Sequence, residues 1–251
     1  MTGVQTCALP ICGLAEVDSY EVDGLIVLGP LQRRTGDPWR GRVAAATDAL
    51  TDGSPWRDKL GPAQRLVRVE ATVRPMNWKV LVEQFLEGYH IRSTHKDTFF
   101  PLQYDDLNVV EAFGPNSRIA FPYRNIERLR DRPESTWTTD RRVTYVYQLF
   151  PNAMVVTFPD QVLVIVIDPV DIDHSTLTTY AMTTAADDAA PAARDGGRSL
   201  LAMGGDEDNA MSEAVQRGLR AGANAFVEFG RHESAIGRFH ATLDQRLEWS
   251  R

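Results

Sequence analysis

The chain has 251 residues, of which 43% are hydrophobic and 24% charged, and its formal net charge is −7 at pH 7. This composition is typical of a globular protein with one main domain. The sequence has no basic stripe, so we expect no nucleic-acid partner. Its longest strongly apolar run, VLVIVI at 162–167, is too short to cross a bilayer. We therefore expect no membrane partner and a cytoplasmic location.

The first twelve residues, MTGVQTCALPIC, contain both cysteines of the chain. Residues 1–11 match, at every position, the translation of a common sequencing-adapter read that begins at a GTG codon. We interpret 1–12 as this adapter artefact; the alternative is a genuine N-terminus. On the first interpretation the native protein has no cysteine in this window, so disulfides are not expected. A segment upstream of residue 13 is then expected to be missing.

The predicted elements follow in chain order. Residues 21–29 predict a short strand and 31–64 a connecting segment, while 65–74 predict a strand with one wet face because valines alternate with charged residues. A helix is predicted from about Asn77 to His90. Further strands are predicted at 107–113, 117–123, 142–150, 153–159, 161–170 and 175–184. The last four are joined by short links, which indicates an antiparallel sheet. A loop at 185–197 and helices at 206–221 and 228–248 complete an α+β pattern.

The helix predicted at 77–90 has two different faces. Glu83, Glu87 and His90 share one face, at spacings of i, i+4 and i+7. The opposite face is an apolar stripe of Trp78, Leu81, Val82, Phe85, Leu86 and Tyr89. The polar face is either the solvated side of an amphipathic helix or a surface covered by a loop or a second subunit. In the second case His95 could return towards His90 after a turn at 91–94.

The helix predicted at 206–221 carries a further candidate metal ligand, Asp208. Asp208 shares the inward stripe of Met211, Val215 and Leu219, where a carboxylate is costly unless it is paired or bound to a metal. The competing interpretation is a helix N-cap, a task that Asp206 could perform equally well. Two imidazoles and one carboxylate are the ligands of many non-heme Fe(II) oxygenases. Zinc hydrolases use the same ligand set.

Two segments resemble a known family. NWKVLVEQFLEGYHIRSTH, at 77–95, resembles the mononuclear-iron motif of the Rieske non-heme iron oxygenase (aromatic-ring-hydroxylating dioxygenase) α subunits. EDNAMSEAVQRGL, at 207–219, is similar to the helix that carries the third iron ligand of that family. The resemblance covers about 65–250 as the catalytic domain and 13–30 as a remnant of the preceding Rieske domain. The Rieske motif itself, Cys-x-His followed by Cys-x-x-His, is absent from the sequence.

The resemblance implies a helix-grip fold, like that of START and Bet v 1 proteins, in which an antiparallel sheet wraps around a long helix. It implies mononuclear Fe(II) bound by His90, His95 and Asp208. Glu87 would bridge to a Rieske [2Fe–2S] cluster that lies in the missing N-terminal domain. Glu83 is the other acid of the motif, and Gln84 stands where the family usually has Asn near the iron; Glu87 stands where the family often has Asp.

The implied enzyme hydroxylates or oxidatively demethylates an organic, aromatic substrate with O₂. Electrons come from NAD(P)H through a reductase or ferredoxin, the full-length protein is a homotrimer, and this fragment alone is expected to be inactive. Two rivals stay open: a metal-free helix-grip module that binds an apolar ligand, and a zinc hydrolase. The candidate pocket residues are Phe99, Phe100, Phe121 and Tyr145, and the weaker candidates for metal ligands are His174, His232 and His240.

Overall fold

The computed structural model describes residues 19–22, 24–28, 64–184 and 200–248. The proposed artefact at 1–12, nearly all of the connecting segment at 31–64 and the predicted loop at 185–197 lie outside these residues. Among the described residues, no helix combines the length and the apolar character needed to span a membrane.

The first described residues form a small separate sheet. Strands β1 (Ser19–Val22) and β2 (Leu25–Leu28) pair in antiparallel fashion. The turn between them contains Gly24 with φ of +81°, a conformation that glycine adopts without steric cost. The single strand predicted at 21–29 is therefore a hairpin.

The main sheet has seven antiparallel strands in the order β3-β9-β8-β7-β6-β5-β4. Strands β4 to β9 form a meander, and β3 pairs with β9 from Gln64↔Thr184 to Arg74↔Ser175. The bounds are β3 Gln64–Arg74, β4 Val109–Phe113, β5 Asn116–Pro122, β6 Val143–Leu149, β7 Ala153–Thr157, β8 Gln161–Pro169 and β9 Ser175–Thr184. The antiparallel sheet and the α+β fold class predicted from the sequence are confirmed.

Edge strand β3 has its predicted alternation, but its charged face is not the outer one. Arg68, Glu70 and Arg74 line an internal cavity, whereas Val69 and Val73 are more than half exposed on the other side. The register shifts between Leu66 and Arg68. Arg74 is only partly exposed, whereas Arg68 and Glu70 line the cavity and still reach solvent, with side chains 55% exposed.

The single helix predicted at 77–90 is two short helices, α1 (Trp78–Glu83) and α2 (His90–Thr94). Asn77 caps α1 by accepting a hydrogen bond from Lys79 N at 3.0 Å. At the end of α1 the amides of Phe85 and Leu86 bond three residues back, which tightens the last turn. The break therefore precedes His90, and residues 91–94, expected to form a turn, are helical.

Gly88 lies in the break and faces Phe121 of β5. A Cβ at this position would stand 3.2 Å from the Phe121 ring. The absence of a side chain lets the segment between α1 and α2 approach the sheet closely, and this positions the start of α2 against the cavity.

The long helix α3 (Leu200–Arg220) presents a different face from the predicted one. Val215 and Leu219, expected inward, are 42% and 50% exposed. The buried side chains are Asn209, Ser212 and Gln216. Two of them meet polar groups of the α1 segment: Ser212 donates to Gln84, and Gln216 accepts from the Asn77 amide at 2.9 Å. The N-cap interpretation of Asp206 and Asp208 is wrong, since α3 begins at Leu200.

Helix α4 (Ser234–Glu248) completes the main core through Ala235, Ile236 and Phe239. A smaller apolar cluster lies on the other face of the sheet around Tyr147 and Val155, with Leu25 of β2 packed against it. Between the sheet and the helices lies a cavity of about 600 Å³. This arrangement is the helix-grip fold expected from the sequence.

Candidate metal centre

Three side chains from two helices meet at one point beside the cavity. His90 opens α2, His95 follows its last residue, and Asp208 projects from the middle of α3. One ligand atom from each lies within 4.8 Å of the other two. On a regular helix residues five apart point about 140° away from each other, but the backbone leaves helical geometry at His95, with φ of −97° and ψ of 34°. The two rings therefore lie 5.1 Å apart between centroids.

Each histidine is held by a carboxylate at its Nδ1 atom. Nδ1 of His90 contacts Glu87, three residues earlier in the chain. Nδ1 of His95 lies 2.8 Å from Glu207, and Thr98 donates its hydroxyl proton to the same Glu207 oxygen at 2.6 Å. A hydrogen bond at one ring nitrogen fixes the orientation of the ring and the tautomer. Both rings are thereby oriented so that Nε2 is directed into the site.

The two Nε2 atoms face the same oxygen of Asp208. Oδ1 of Asp208 lies 2.9 Å from Nε2 of His95 and 3.4 Å from Nε2 of His90. This oxygen is buried and has no hydrogen bond of regular geometry to any described residue. When Nδ1–H donates to a carboxylate, Nε2 of a neutral imidazole carries a lone pair. Three lone-pair atoms are then directed at one another, and this donor set fits a bound divalent metal such as Fe(II) or Zn(II).

The electrostatics of the site show how strongly it attracts positive charge. Burial lowers the pKa of His90, but the nearby carboxylates of Asp208 and Glu87 outweigh burial and bring that pKa to about 10. For Asp208, burial raises the pKa, but contacts with both histidines outweigh it, and the net pKa is lowered. A proton on His90 therefore occupies the position where the carboxylates would also stabilise a metal cation.

Other predicted site residues have different surroundings. Glu83 is partly exposed and pairs with Nε2 of His240 on α4 at 2.8 Å. Gln84 is buried, lines the cavity and accepts the hydrogen bond from Ser212. His174 contacts Asp171, and His232 packs on Tyr89. Among the described residues, His174, His232 and His240 belong to no cluster that could bind a metal.

Of the four predicted pocket residues, Phe99 and Phe121 line the cavity. Phe100 and Tyr145 are not among its lining residues. Phe100 contacts the guanidinium groups of Arg92 and Arg124, at 5.4 and 5.0 Å from its ring centroid. Tyr145 belongs to the cluster on the other face of the sheet, because its position on β6 alternates with the inward Thr144 and Val146.

Sequence reasoning did not identify Glu207 or Thr98. Glu207 directly precedes Asp208, but it lies 112 residues from His95 in the chain. Only the packing of α3 against α2 brings them together. The only sequence signal for Glu207 is its position next to Asp208, a candidate ligand. That position does not indicate which histidine Glu207 contacts.

Comparison with known proteins places this geometry in a family. Residues 60–249 match the model of the ring hydroxylating alpha subunit (catalytic domain). The sequence matches no protein with a curated description.

Solved structures share the fold. The quaternary ammonium Rieske monooxygenase CntA in complex with the inhibitor MMV12 is 19% identical with a TM-score of 0.66, over 91% of this chain and 61% of that one. Naphthalene 1,2-dioxygenase from Rhodococcus sp. bound to indole is 14% identical with a TM-score of 0.59, over 92% and 66%. Dicamba monooxygenase bound to dicamba is 16% identical with a TM-score of 0.55, over 94% and 71%.

The chain spans 61% of the length of the first of these structures. The family match covers both helices that form the His90, His95 and Asp208 cluster. This chain belongs to the ring hydroxylating alpha subunit family, as a non-heme iron catalytic domain of the Rieske oxygenase type.

Proposed function

We propose that this chain is the catalytic domain of an oxygenase that hydroxylates, or oxidatively demethylates, an organic substrate. The observation that carries the proposal is the convergence of two Nε2 atoms and one carboxylate oxygen, with each Nδ1 tied back to a separate acid. Family membership supports iron as the metal. The similar structures are those of a quaternary ammonium monooxygenase, a naphthalene dioxygenase and a dicamba monooxygenase.

In this proposal His90, His95 and Asp208 bind Fe(II), which supplies the activation of O₂ when it is bound. Glu87 and Glu207 hold the imidazole rings and increase their basicity as ligands. The cavity beside the triad binds the organic substrate and excludes water from it. Its walls are mainly apolar, and Phe99 contacts the ring of His95 at 4.8 Å between centroids.

The proposed source of electrons lies outside the catalytic domain. We propose that residues 13–30 are the end of a Rieske domain whose [2Fe–2S] cluster lies upstream, and that 1–12 is an adapter artefact. Glu87 would link that cluster to His90, whose Nδ1 atom it contacts. A reductase or ferredoxin would deliver electrons to a cytoplasmic homotrimer, in which a neighbouring subunit would cover the segment around Glu87.

Metal binding provides the first test. The purified chain is titrated with Fe(II) without oxygen, and bound iron is counted after gel filtration. We expect one iron per chain, and none in His90→Ala, His95→Ala or Asp208→Ala, because each change removes one of three protein ligands. His174→Ala is the control and should retain the iron. Retention of iron by the three triad variants, or its loss in the control, would contradict the proposal.

The same titration separates the two rivals. A metal-free binding module would retain neither iron nor zinc in any variant. A zinc hydrolase would retain zinc in preference to iron and would be active without O₂.

The bridging role needs the full-length enzyme, rebuilt with a cluster domain. Glu87→Ala is expected to keep its iron while losing most turnover, with the cluster staying reduced when O₂ and substrate are added. Near-normal turnover would show that Glu87 is not part of the electron path. Loss of iron as complete as in His90→Ala would make Glu87 a direct ligand instead.

A further inference from the structure

One wall of the cavity is charged, although most of the cavity is apolar. The inward positions of edge strand β3 carry Arg68, Glu70, Thr72 and Arg74. The rest of the sheet contributes mainly aliphatic and aromatic side chains, among them Phe121, Val156, Phe158, Leu163, Ile165 and Leu177. An exclusively apolar substrate would gain nothing from such a charged wall, because burying charges against it is unfavourable.

Arg68 and Glu70 on this wall pair with each other, whereas Arg74 has no such partner among the described residues. Arg68 lies 3.5 Å from Glu70, and both side chains are 55% exposed. Arg74 is only partly exposed, and its Nε is shut off from solvent with no hydrogen-bond partner among the described residues. Of the acids that line the cavity near the triad, Glu87 and Asp208 contact the histidines, and Asp206 lies two residues before Asp208 on α3.

A buried guanidinium N–H without a partner is unfavourable, and native structures contain few such groups. A ligand that supplied the missing acceptor would remove this cost. The guanidinium group has a planar fork of donors that matches a carboxylate, to which it can donate two parallel hydrogen bonds. Arg74 thus has the chemistry and the position to recognise an organic anion inside the cavity.

We infer that Arg74 binds the carboxylate of the substrate, so that the enzyme proposed above acts on an apolar, ring-containing carboxylic acid. This inference rests on the proposed function for the reaction, but not for the binding. A cavity of about 600 Å³ lies in the ordinary range for a ligand of one to three rings. The aromatic walls from Phe85, Phe99, Phe121 and Phe158 are suited to a flat ring.

The position of Arg74 also orients such an acid. Arg74 ends β3, and Asn77 just beyond it is tied to Gln216 of α3. Arg74 lines the same cavity as His90 and Asp208, so an acid bound at Arg74 extends its ring system into the space beside the triad.

Binding to the metal-free chain tests this inference directly. Isothermal titration would compare benzoate, 2-naphthoate and biphenyl-4-carboxylate with their uncharged primary amides, near neutral pH. We expect at least one acid to bind about tenfold or more tightly than its amide, since a hydrogen bond between two charged groups is stronger than one to a neutral group. Arg74→Gln should abolish that preference and Arg74→Lys should restore part of it. The control, Arg118→Gln, removes an arginine that pairs with Glu111 and does not line the cavity.

Several results would overturn the inference. These are no acid binding better than its amide, a preference for the acid that persists in Arg74→Gln, or an equal loss in Arg118→Gln. The melting temperature gives an independent check, because a residue kept for a ligand adds nothing to the stability of the free chain. Arg74→Gln should melt at or above the parent temperature, and a fall of about 4 °C or more would assign Arg74 to packing instead. Because no metal is present, a failure here leaves iron binding intact, and a failure of iron binding leaves this result intact.

Discussion

His90 and His95 stand five residues apart, yet they are oriented in different ways. His90 is held by Glu87 on its own segment, through its ring and through its backbone amide. His95 is held by Glu207 from α3, and Phe99 packs against its ring. The first arrangement is local and forms with α2 itself. The second exists only when α3 has docked, so one half of the site is encoded by spacing and the other by tertiary structure.

A third pair shows that a histidine contacting a carboxylate is not sufficient for a site. His240 lies 2.8 Å from Glu83, with side chains 37% and 27% exposed. No third ligand joins them among the described residues. What distinguishes the metal centre is that both rings present the opposite nitrogen to one buried oxygen.

The largest expected effect on Fe(II) affinity comes from removing the long-range contact between Glu207 and His95. Glu207→Ala removes the anchor of His95 and the acceptor of Thr98, so we expect the affinity for Fe(II) to fall about 10–100-fold, the usual effect of losing such an outer partner. Competition titration with a chelator would measure it. Glu213→Ala, on the same helix, is the control and should change affinity little. An unchanged affinity in Glu207→Ala would mean that His95 is oriented by packing alone.

The pH dependence of Fe(II) binding tests the local arrangement of His90 and Glu87. The raised pKa of His90, about 10, means that its proton must leave before a metal binds. The affinity for Fe(II) should therefore increase with pH, by about tenfold per unit between roughly pH 6.5 and 8.5 for one released proton. The same titration in two buffers of different ionisation enthalpy counts the protons. An affinity that does not depend on pH would contradict the ion pairs that surround His90.

The free energy of unfolding of the metal-free chain should also depend on pH, through His90 and Asp208. The pKa of His90 is raised above its unfolded value of 6.5, so its contribution is present below about pH 6.5 and is lost as the pH rises through about 10. The pKa of Asp208 is lowered, so its contribution is present above its unfolded value and is lost as the pH falls. Unfolding in denaturant should show both losses. Asp208→Asn should remove the loss at low pH and reduce the loss at high pH, because Glu87 still raises the pKa of His90. A low-pH loss of unchanged size in Asp208→Asn would assign it to other groups.

The smallest effect concerns the packing behind His95. A Cβ on Gly204 would collide with the Phe99 ring, whereas a Cβ on Gly205 would meet nothing within 4 Å. Gly204→Ala should destabilise the fold by about 1–3 kcal/mol through overpacking and lower Fe(II) affinity by less than about tenfold. Gly205→Ala should be neutral or stabilising by up to roughly 1 kcal/mol, because alanine favours helices. Equal stability of the two variants in denaturant titrations would show that Phe99 has room to move.

The sequence predicts those parts of the fold and site that depend on local pattern. The antiparallel meander follows from short links between alternating segments, and the family motif at 77–95 identifies His90 and His95. Helical periodicity does not predict the break between α1 and α2, and it does not reveal that Gly88, within the break, approaches Phe121 across the core. The buried face of α3 was also predicted wrongly. Ser212 and Gln216 are buried because they bond to residues more than a hundred positions away in the chain.

The central claim is that Nε2 of His90, Nε2 of His95 and a carboxylate oxygen of Asp208 share one Fe(II). Anomalous diffraction at the iron edge, from crystals of the chain loaded with Fe(II) without oxygen, tests it most directly. We expect a single strong peak with these three atoms at about 2.0–2.2 Å, by analogy with zinc sites of the same ligand types. A peak bound by Glu87 or Glu207 in place of Asp208, or no peak between α2 and α3, would contradict the account.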